Sequence, residues 1–381
     1  MTILLAPDKF KGSLDSFDVC RAMAEGIRQV NDTVNIISLP LADGGDGFAK
    51  VMAHYLHTTT IVVQTTNATG RSVEGSFEWS ASSQTAIIEM ATASGISQLT
   101  NEERNPLKTS TYGTGLSIKA AIENGAKKII LGIGGSASND GGTGILSALG
   151  YRFMDENENE LLPCGASLQH IKTIKAPDKI IDTNFIIACD VANPLLGANG
   201  AAFVYAAQKG ASKAAIILLE NGMRQYAMVL EKITGKSISE IPGMGAAGGT
   251  CASLMLLPKV TLQKGMDIVF EYSDFYNQLL KADYVFTGEG AFDKQTLNGK
   301  VVYAVAAAAK ALNIPALAIC GKVDADLALI KQCGLSYITS INNRQMSTEE
   351  SMKQAFELVR FAAAKASCPQ RGVLQNVIIK L

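Results

Sequence analysis

One stretch of the sequence, LGIGGSASNDGGTG at residues 131–144, combines many glycines with short polar side chains. Glycine lets a backbone approach a ligand closely, and successive backbone N–H groups before a helix bind phosphate oxygens. The stretch therefore predicts an anion-binding loop. Asp140 is a candidate to bind Mg²⁺ or a substrate hydroxyl. The predicted phosphate contacts are Gly134, Gly135, Ser136 and Asn139.

Part of the same stretch also fits a dinucleotide-binding fingerprint. Gly132, Gly134 and Ala137 follow a predicted strand, and Asp155 ends the next strand about twenty residues further on. The segment NDGGTG (139–144) argues against this interpretation, because it interrupts the turn where the helix of the fingerprint should have begun. A tight connection without a ligand is a further alternative. No G-x-x-x-x-G-K-S/T motif occurs, so a P-loop NTPase has no support.

Four more loops place charged or amide side chains directly after a predicted strand. In open α/β sheets, ligands bind at the carboxyl ends of the strands. Lys11 is predicted to bind an anionic group, either a carboxylate or a phosphate. Asp43 and Asp46 suit Mg²⁺, whereas Asp190 suits a general base; the roles of Asp43 and Asp190 are interchangeable at this stage. Further predicted substrate or phosphate contacts are Asp8, Asn193, Gly288, Glu289, Asp293 and Thr296. Alternatively, these side chains are solvated surface groups or belong to ordinary Asx turns that bind no ligand.

The elements that position these loops indicate an α/β protein with two domains. Strands and helices alternate at both ends of the chain, which is typical of an open parallel sheet. Between residues 59 and 90, three predicted strands follow one another through short linkers, which is typical of antiparallel pairing. We therefore predict an open Rossmann-like parallel sheet domain built from residues 1–57 and 264–381. Residues 58–263 are predicted to form a second, inserted mixed α/β domain.

Composition narrows the classes of function and location. The 381 residues carry a formal net charge of −1, so a basic nucleic-acid surface is not indicated. The longest apolar run contains Lys310 and Pro315 and therefore predicts a helix and a strand rather than a membrane span. Seven cysteines without a C-x-x-C motif favour reduced thiols and a cytoplasmic location. Either a monomer or a homodimer is compatible with the sequence.

Taken together and in order, the five loops resemble those of the glycerate kinase family in its two-domain bacterial form. Two residues depart from the family pattern: Lys9 stands where serine is expected, and Asp46 stands where glutamate is common. The matching segments span nearly the whole chain and are APDKFKGSL (6–14), LPLADGGDG (39–47), IGGSASNDGGTG (133–144), CDVANPL (189–195) and TGEGAFDKQT (287–296).

The resemblance implies transfer of the γ-phosphoryl group of ATP to D-glycerate with Mg²⁺, in a cleft between two α/β domains. For this form of the family the expected product is 2-phosphoglycerate, with 3-phosphoglycerate as the alternative. The roles of individual residues given above are chemical assignments and are not carried over from the family. Two other classes remain open: a nicotinamide-dependent oxidoreductase and a sugar- or acid-binding module without catalysis.

Overall fold

The structure is a computed structural model that describes residues 1–45, 47–293, 296, 300–342 and 346–367. The strands, in chain order, are β1 (Thr2–Leu5), β2 (Asn35–Ser38), β3 (Thr59–Thr66), β4 (Ser72–Ser80), β5 (Thr85–Glu89), β6 (Lys128–Gly132), β7 (Arg152–Met154), β8 (Thr173–Lys175), β9 (Asn184–Ala188), β10 (Val260–Gln263), β11 (Tyr284–Thr287), β12 (Ala291–Phe292), β13 (Ala316–Cys320), β14 (Lys322–Val323) and β15 (Tyr337–Ser340).

The α-helices are labelled in the same way. They are α1 (Ser16–Val30), α2 (Phe48–Leu56), α3 (Ala91–Ser94), α4 (Tyr112–Glu123), α5 (Thr143–Ala148), α6 (Ala201–Tyr205), α7 (Lys213–Thr234), α8 (Ala246–Leu254), α9 (Gly265–Tyr272), α10 (Phe275–Leu279), α11 (Val301–Ala311), α12 (Leu327–Cys333), α13 (Thr348–Lys353) and α14 (Ala355–Ser367).

The chain divides into two compact units. The first unit joins Met1–Asp43 to the segment from Met266 onward, and the second unit is Gly44–Gly265. The first unit contains a parallel sheet in the order β15-β13-β11-β1-β2. Three of its strands, β1, β11 and β13, are short and largely apolar runs, and every residue of β13 is buried. Such runs are typical of parallel strands covered on both faces. The parallel sheet predicted for the chain ends is therefore present.

The second unit contains a mixed sheet in the order β10-β9-β6-β5-β4-β3. Strands β3, β4 and β5 pair antiparallel, as their short linkers predicted. The remaining neighbours in this sheet pair parallel. Strands β7 and β8 form a separate antiparallel pair outside it. The predicted α/β class, with one parallel and one mixed sheet, is confirmed.

The structure differs from the sequence predictions in several elements. Helix α2 packs on β4 and β5 in the second unit, whereas the sequence assigned residues up to 57 to the domain of the chain ends. The sequence over 264–281 predicts a single helix, but α9 and α10 are separated at Asp274, which has a left-handed backbone. The segment that forms α7, the longest of the described helices, carries no helix prediction. The exact limits of the domains stay a prediction.

Among the described residues, no helix combines the length and the apolar character that a membrane crossing requires.

Candidate functional site

A cavity of about 500 Å³ opens in the first unit, where the loops after β1 and β11 meet. These two strands are parallel neighbours, so their carboxyl ends lie at the same edge of the sheet. The backbone N–H of Asp8 donates to the carbonyl of Gly288 at 2.8 Å and ties the two loops together. The charged residues that line the cavity are Asp8, Lys9, Lys11, Asp43, Glu289, Lys300 and Lys322.

Asp8 is a buried carboxyl group on the cavity wall, with 8% of its surface exposed. Burial raises its pKa to about 8, and the neighbouring negative charge of Asp43 adds to the shift. The backbone N–H of Lys9 donates to Asp8 Oδ1 at 2.7 Å and opposes the increase in pKa. The cavity therefore gathers carboxyl groups at a site where their negative charge is poorly solvated.

Glu289 is the second buried carboxyl group of this cavity, and burial raises its pKa to about 7. The hydroxyl of Thr296 donates to Glu289 Oε1 at 2.6 Å and lowers the pKa in part. Lys300 Nζ lies 4.0 Å from Glu289 Oε2 and 3.9 Å from Asp293 Oδ1. The structure thus brings together Glu289, Asp293 and Thr296, which the sequence analysis predicted as substrate or phosphate contacts.

The glycine-rich stretch lies in the second unit, between β6 and α5. Gly134 and Gly135 line a small cavity of about 90 Å³, together with Gly44, Gly45 and Glu89. Gly135 has a φ of +70°, which a residue with a side chain rarely adopts. This part of the loop leaves open space beside its backbone, as an anion-binding role requires.

The remainder of the loop is packed against the protein itself. The fully buried carboxylate of Asp140 accepts hydrogen bonds from the Thr111 N–H at 2.7 Å and the Thr111 hydroxyl at 2.8 Å. It also accepts from the backbone N–H groups of Gly142 and Gly144, each at 3.2 Å. Burial raises the pKa of Asp140, and these hydrogen bonds oppose the shift. Asp140 therefore holds the starts of α4 and α5 together.

Lys209 is a buried lysine that the sequence analysis did not single out. Its ammonium group donates to Ser136 Oγ at 2.7 Å and to the Ser138 carbonyl at 2.6 Å. Burial lowers its pKa to about 7, while the charge of Asp140 acts in the opposite direction. No motif marks residue 209 in the sequence, because its partners lie about 70 positions earlier.

Asp190 follows β9 and is exposed at the place where the chain enters and leaves the second unit. Its Oδ1 accepts a hydrogen bond from the Gly265 N–H at 2.9 Å. A Cβ added to Gly44 would overlap Asp190 Oδ2. The carboxylate therefore contacts both ends of the second unit and still reaches solvent.

The other predicted residues are placed as follows. Lys11 is exposed and lines the larger cavity. Asn193 uses both ends of its amide locally, donating to the Asn199 carbonyl at 2.8 Å and accepting from the Tyr205 hydroxyl at 2.7 Å. Gly288 is buried, and an added Cβ there would overlap the carbonyl oxygen of a β13 residue. Asp46 lies outside the described residues.

No group of three or more His, Cys, Asp or Glu side chains is arranged to hold a metal ion within the described part of the chain. The predicted pair Asp43 and Asp46 therefore stays a prediction.

The dinucleotide fingerprint does not form the geometry that it needs. The helix after β6 begins only at Thr143, well beyond Gly132 and Gly134. The strand before Asp155, β7, forms a two-stranded sheet with β8 that is separate from the main sheet. The Asp155 carboxylate accepts hydrogen bonds from the backbone of Asn157 at 2.8 Å and Asn159 at 2.9 Å. A strand–helix–strand unit that cradles a pyrophosphate is not built here.

Comparison with known proteins supports the resemblance to the glycerate kinase family. The model of the glycerate kinase family matches residues 3–368. A glycerate kinase of Halalkalibacterium halodurans is 39% identical over 365 residues, which cover 95% of this chain and 96% of that protein. A glycerate 2-kinase of Escherichia coli is 37% identical, and the match covers 94% of each protein.

A solved structure shares the fold. A Salmonella typhimurium LT2 protein, provisionally described as glycerate kinase 2, superposes with a TM-score of 0.88 at 35% sequence identity. The superposition covers 98% of this chain and 99% of that one. The chain therefore belongs to the glycerate kinase family and is a kinase.

Proposed function

We propose that the protein transfers the γ-phosphoryl group of ATP to the 2-hydroxyl of D-glycerate, with Mg²⁺ as cofactor. The observation that carries the proposal is the cavity of the first unit, where buried carboxyl groups and lysines meet at the carboxyl ends of parallel strands. Phosphoryl transfer depends on positioning and on neutralising charge, and this cavity offers groups for both. The similarity to a glycerate 2-kinase supports the choice of hydroxyl.

Lysines and loop donors would bind the anionic groups. Lys11 reaches into the larger cavity and would bind the glycerate carboxylate or the γ-phosphate. Gly134, Gly135 and Ser136 would bind phosphate oxygens through backbone N–H groups and a hydroxyl. Asn139 supports this assignment, because its buried amide oxygen and nitrogen have no hydrogen-bond partner among the described residues.

Mg²⁺ fits the donor set of the larger cavity. Asp8 and Asp43 both line this cavity, and the pKa of Asp8 is raised by burial and further by the negative charge of Asp43. Magnesium in phosphoryl-transfer enzymes commonly takes one or two protein carboxylates and completes its coordination with phosphate oxygens and water. Asp43 and Asp8 would hold the ion, with Asp46 as a further candidate. Bound there, Mg²⁺ would neutralise negative charge on the phosphates.

Asp190 would orient the glycerate hydroxyl and accept its proton. One carboxylate oxygen is held by the Gly265 N–H, while the side chain as a whole is exposed. Asp190→Asn keeps an oxygen for this hydrogen bond but removes the base. We expect the variant to fold normally and to lose about 10²–10⁴-fold in kcat. Unchanged turnover of Asp190→Asn would exclude this role.

Phosphorus NMR of the purified protein with ATP, Mg²⁺ and D-glycerate tests the reaction directly. A 2-phosphoglycerate signal is expected, with ADP formed in equal amount. A 3-phosphoglycerate signal would support the kinase reaction but show that the 3-hydroxyl, not the 2-hydroxyl, is the acceptor. ADP formation without a phosphorylated glycerate, or no reaction by the folded protein, would overturn the proposal. A sample without glycerate serves as the control for ATP hydrolysis.

A further inference from the structure

Lys209 is buried in the second unit, and its ammonium group is directed at the glycine-rich loop. The residue is 2% exposed. Nζ donates to two oxygens of that loop, Ser136 Oγ at 2.7 Å and the Ser138 carbonyl at 2.6 Å. A buried ammonium group loses its hydration and must be compensated by hydrogen bonds. The two contacts therefore tie the loop to the segment that carries the lysine.

That segment is itself held in place. Lys209 ends a short 3₁₀ turn, Ala207–Lys209, and its backbone N–H donates to the Ala206 carbonyl at 3.1 Å. The next residue, Gly210, has a φ of +95°, and an added Cβ there would lie 2.9 Å from Arg104 Cβ. Close packing and a left-handed glycine thus leave the base of the lysine little freedom.

The contact with Ser136 determines what the serine hydroxyl can do. Because Ser136 Oγ accepts a hydrogen bond from Lys209, its own proton is left to be donated elsewhere. Within the described chain, no acceptor of that proton is found. Ser136 follows directly on Gly134 and Gly135, which line the smaller cavity. A hydroxyl donor next to two exposed glycine residues is suited to a phosphate oxygen.

Two neighbouring groups point to the same ligand chemistry. Ser138 Oγ and both polar atoms of the Asn139 amide are buried without a hydrogen-bond partner among the described residues. Buried polar groups are normally satisfied, so such a concentration of unpaired groups marks a place for a polar ligand or ordered water. Both residues lie within three positions of Ser136, whose hydroxyl accepts a hydrogen bond from Lys209.

We infer that Lys209 is a positioning residue for the phosphates of ATP: it fixes Ser136 so that the hydroxyl donates to a phosphate oxygen. This inference rests on the proposed function of the loop. Lys209 acts through Ser136 and does not itself touch the nucleotide. Removing the lysine is therefore expected to weaken nucleotide binding more than it slows the transfer step.

The test compares Lys209→Met, Ser136→Ala and the double variant. Lys209→Met keeps the length of the side chain without its charge or donors, and Ser136→Ala removes only the hydroxyl. Each single variant is expected to raise KM for ATP by about ten- to a hundredfold, since a hydrogen bond to a charged group is lost. The value of kcat should change by less than about threefold, because the lost interaction acts on binding.

The double variant separates positioning from an independent role. If Lys209 acts through Ser136, the double variant should have about the same KM as either single variant. Multiplication of the two effects, or a folded Lys209→Met protein with an unchanged KM, would overturn the inference. A lower kcat with unchanged KM would overturn it as well.

Two further variants distinguish the proposed positioning role of Lys209 from a purely structural role. Lys213→Met removes an exposed lysine at the start of α7 and should leave KM and kcat unchanged. Lys209→Gln keeps an N–H donor without charge and should raise KM less than Lys209→Met does. If Lys209→Met fails to fold, Lys209→Gln decides: a KM raised at least about threefold is expected, and an unchanged KM contradicts the inference.

Calorimetric measurement of the binding of a non-hydrolysable ATP analogue distinguishes a failure of this inference from a failure of the proposed function. If the wild-type protein does not phosphorylate glycerate yet binds the analogue, the proposed acceptor is wrong while the role of Lys209 can still be measured. If Lys209→Met and the wild-type protein bind the analogue equally, the inference is wrong whatever the acceptor.

Discussion

Three buried ionisable groups have pKa values that are shifted towards neutrality by the same cause. Burial raises the pKa of Asp8 to about 8 and that of Glu289 to about 7. The same loss of hydration lowers the pKa of Lys209 to about 7. Perturbed groups of this kind concentrate at functional sites. Two of them line the cavity of the first unit, and the third supports the glycine-rich loop of the second unit.

The charge of Lys209 predicts a pH-dependent contribution to stability. Its pKa falls from an ordinary 10.5 to about 7, so between these values the unfolded chain binds a proton that the folded chain does not. Stability therefore rises with pH in this interval, since the cost of burying the charge disappears. Compared with Lys209→Met, the wild-type free energy of unfolding in urea should increase from about pH 7 to about pH 9. A difference that does not vary with pH would contradict the shift.

Cysteine reactivity offers a second prediction for single residues. A hydrogen bond from the Cys251 thiol lowers the pKa of Cys189, whereas burial raises the pKa of Cys20 and Cys320. The thiolate is the nucleophilic form, so Cys189 should be alkylated by iodoacetamide before the other described cysteines. Peptide mass spectrometry at neutral pH would locate the adduct. Cys164, which is also half-buried, is the matched control, and equal labelling of both would contradict the prediction.

At the scale of elements, the glycine-rich connection from β6 to α5 serves two purposes along its length. Gly134 and Gly135 border open space, as a ligand-binding loop requires. Gly142 and Gly144 instead allow close packing, because an added Cβ would lie 2.7 Å from the Thr250 carbonyl at the former and overlap the Tyr112 nitrogen at the latter. Part of the glycine content therefore belongs to the fold and part to the proposed site.

Two alanine substitutions in this connection should separate these purposes. Gly144→Ala is expected to destabilise the protein by about 1–3 kcal/mol, because the methyl group overlaps backbone that cannot easily move. Gly134→Ala should change stability by less than about 0.5 kcal/mol, since the nearest atom to its added Cβ is Gly45 Cα at 3.8 Å. The ATP turnover of Gly134→Ala should nevertheless fall, because the added methyl group would obstruct a phosphate at the backbone of residue 134. Urea unfolding and ATP turnover of both variants test this. The opposite pattern, an unstable Gly134→Ala with a stable Gly144→Ala, would contradict it.

At the scale of the whole molecule, the second unit has the attributes of an inserted folding unit. Its mixed sheet and its main hydrophobic core consist of its own residues, among them Phe77, Phe185 and Tyr226. Its two ends lie side by side, because an added Cβ on Gly265 would overlap Gly44 Cα. A chain that leaves and returns at one point can acquire or lose such a segment with little strain.

The segment Gly44–Gly265 is therefore expected to fold when expressed alone. The single tryptophan of the chain, Trp79, packs against the core of this segment and reports on its folding. Urea unfolding of the fragment, followed by tryptophan fluorescence, should be cooperative. The emission maximum of the folded fragment should match that of the full chain. A fragment with a water-exposed emission maximum and no cooperative transition would show that the first unit is needed for its folding.

The sequence by itself determined much of the fold and the family. Apolar runs and short linkers are local patterns, so the parallel sheet of the chain ends and the antiparallel strands β3 to β5 could be predicted. The five loops could be found because a strand end followed by Gly, Asp or Lys is also a local pattern. Glu289 and Thr296 lie in one such loop, and the structure brings them into contact.

Only the tertiary structure decided which of these side chains form hydrogen bonds within the protein and which remain available to a ligand. Asp140 has the same local pattern as the other loop carboxylates, yet Thr111, 29 residues earlier, supplies two of its hydrogen bonds. Lys209 has no local pattern, and its contact with Ser136 spans 73 positions. The break at Asp274 likewise depends on a left-handed backbone within an otherwise helical pattern. Contacts between distant residues depend on the path of the whole chain, which periodicity and motif spacing do not contain.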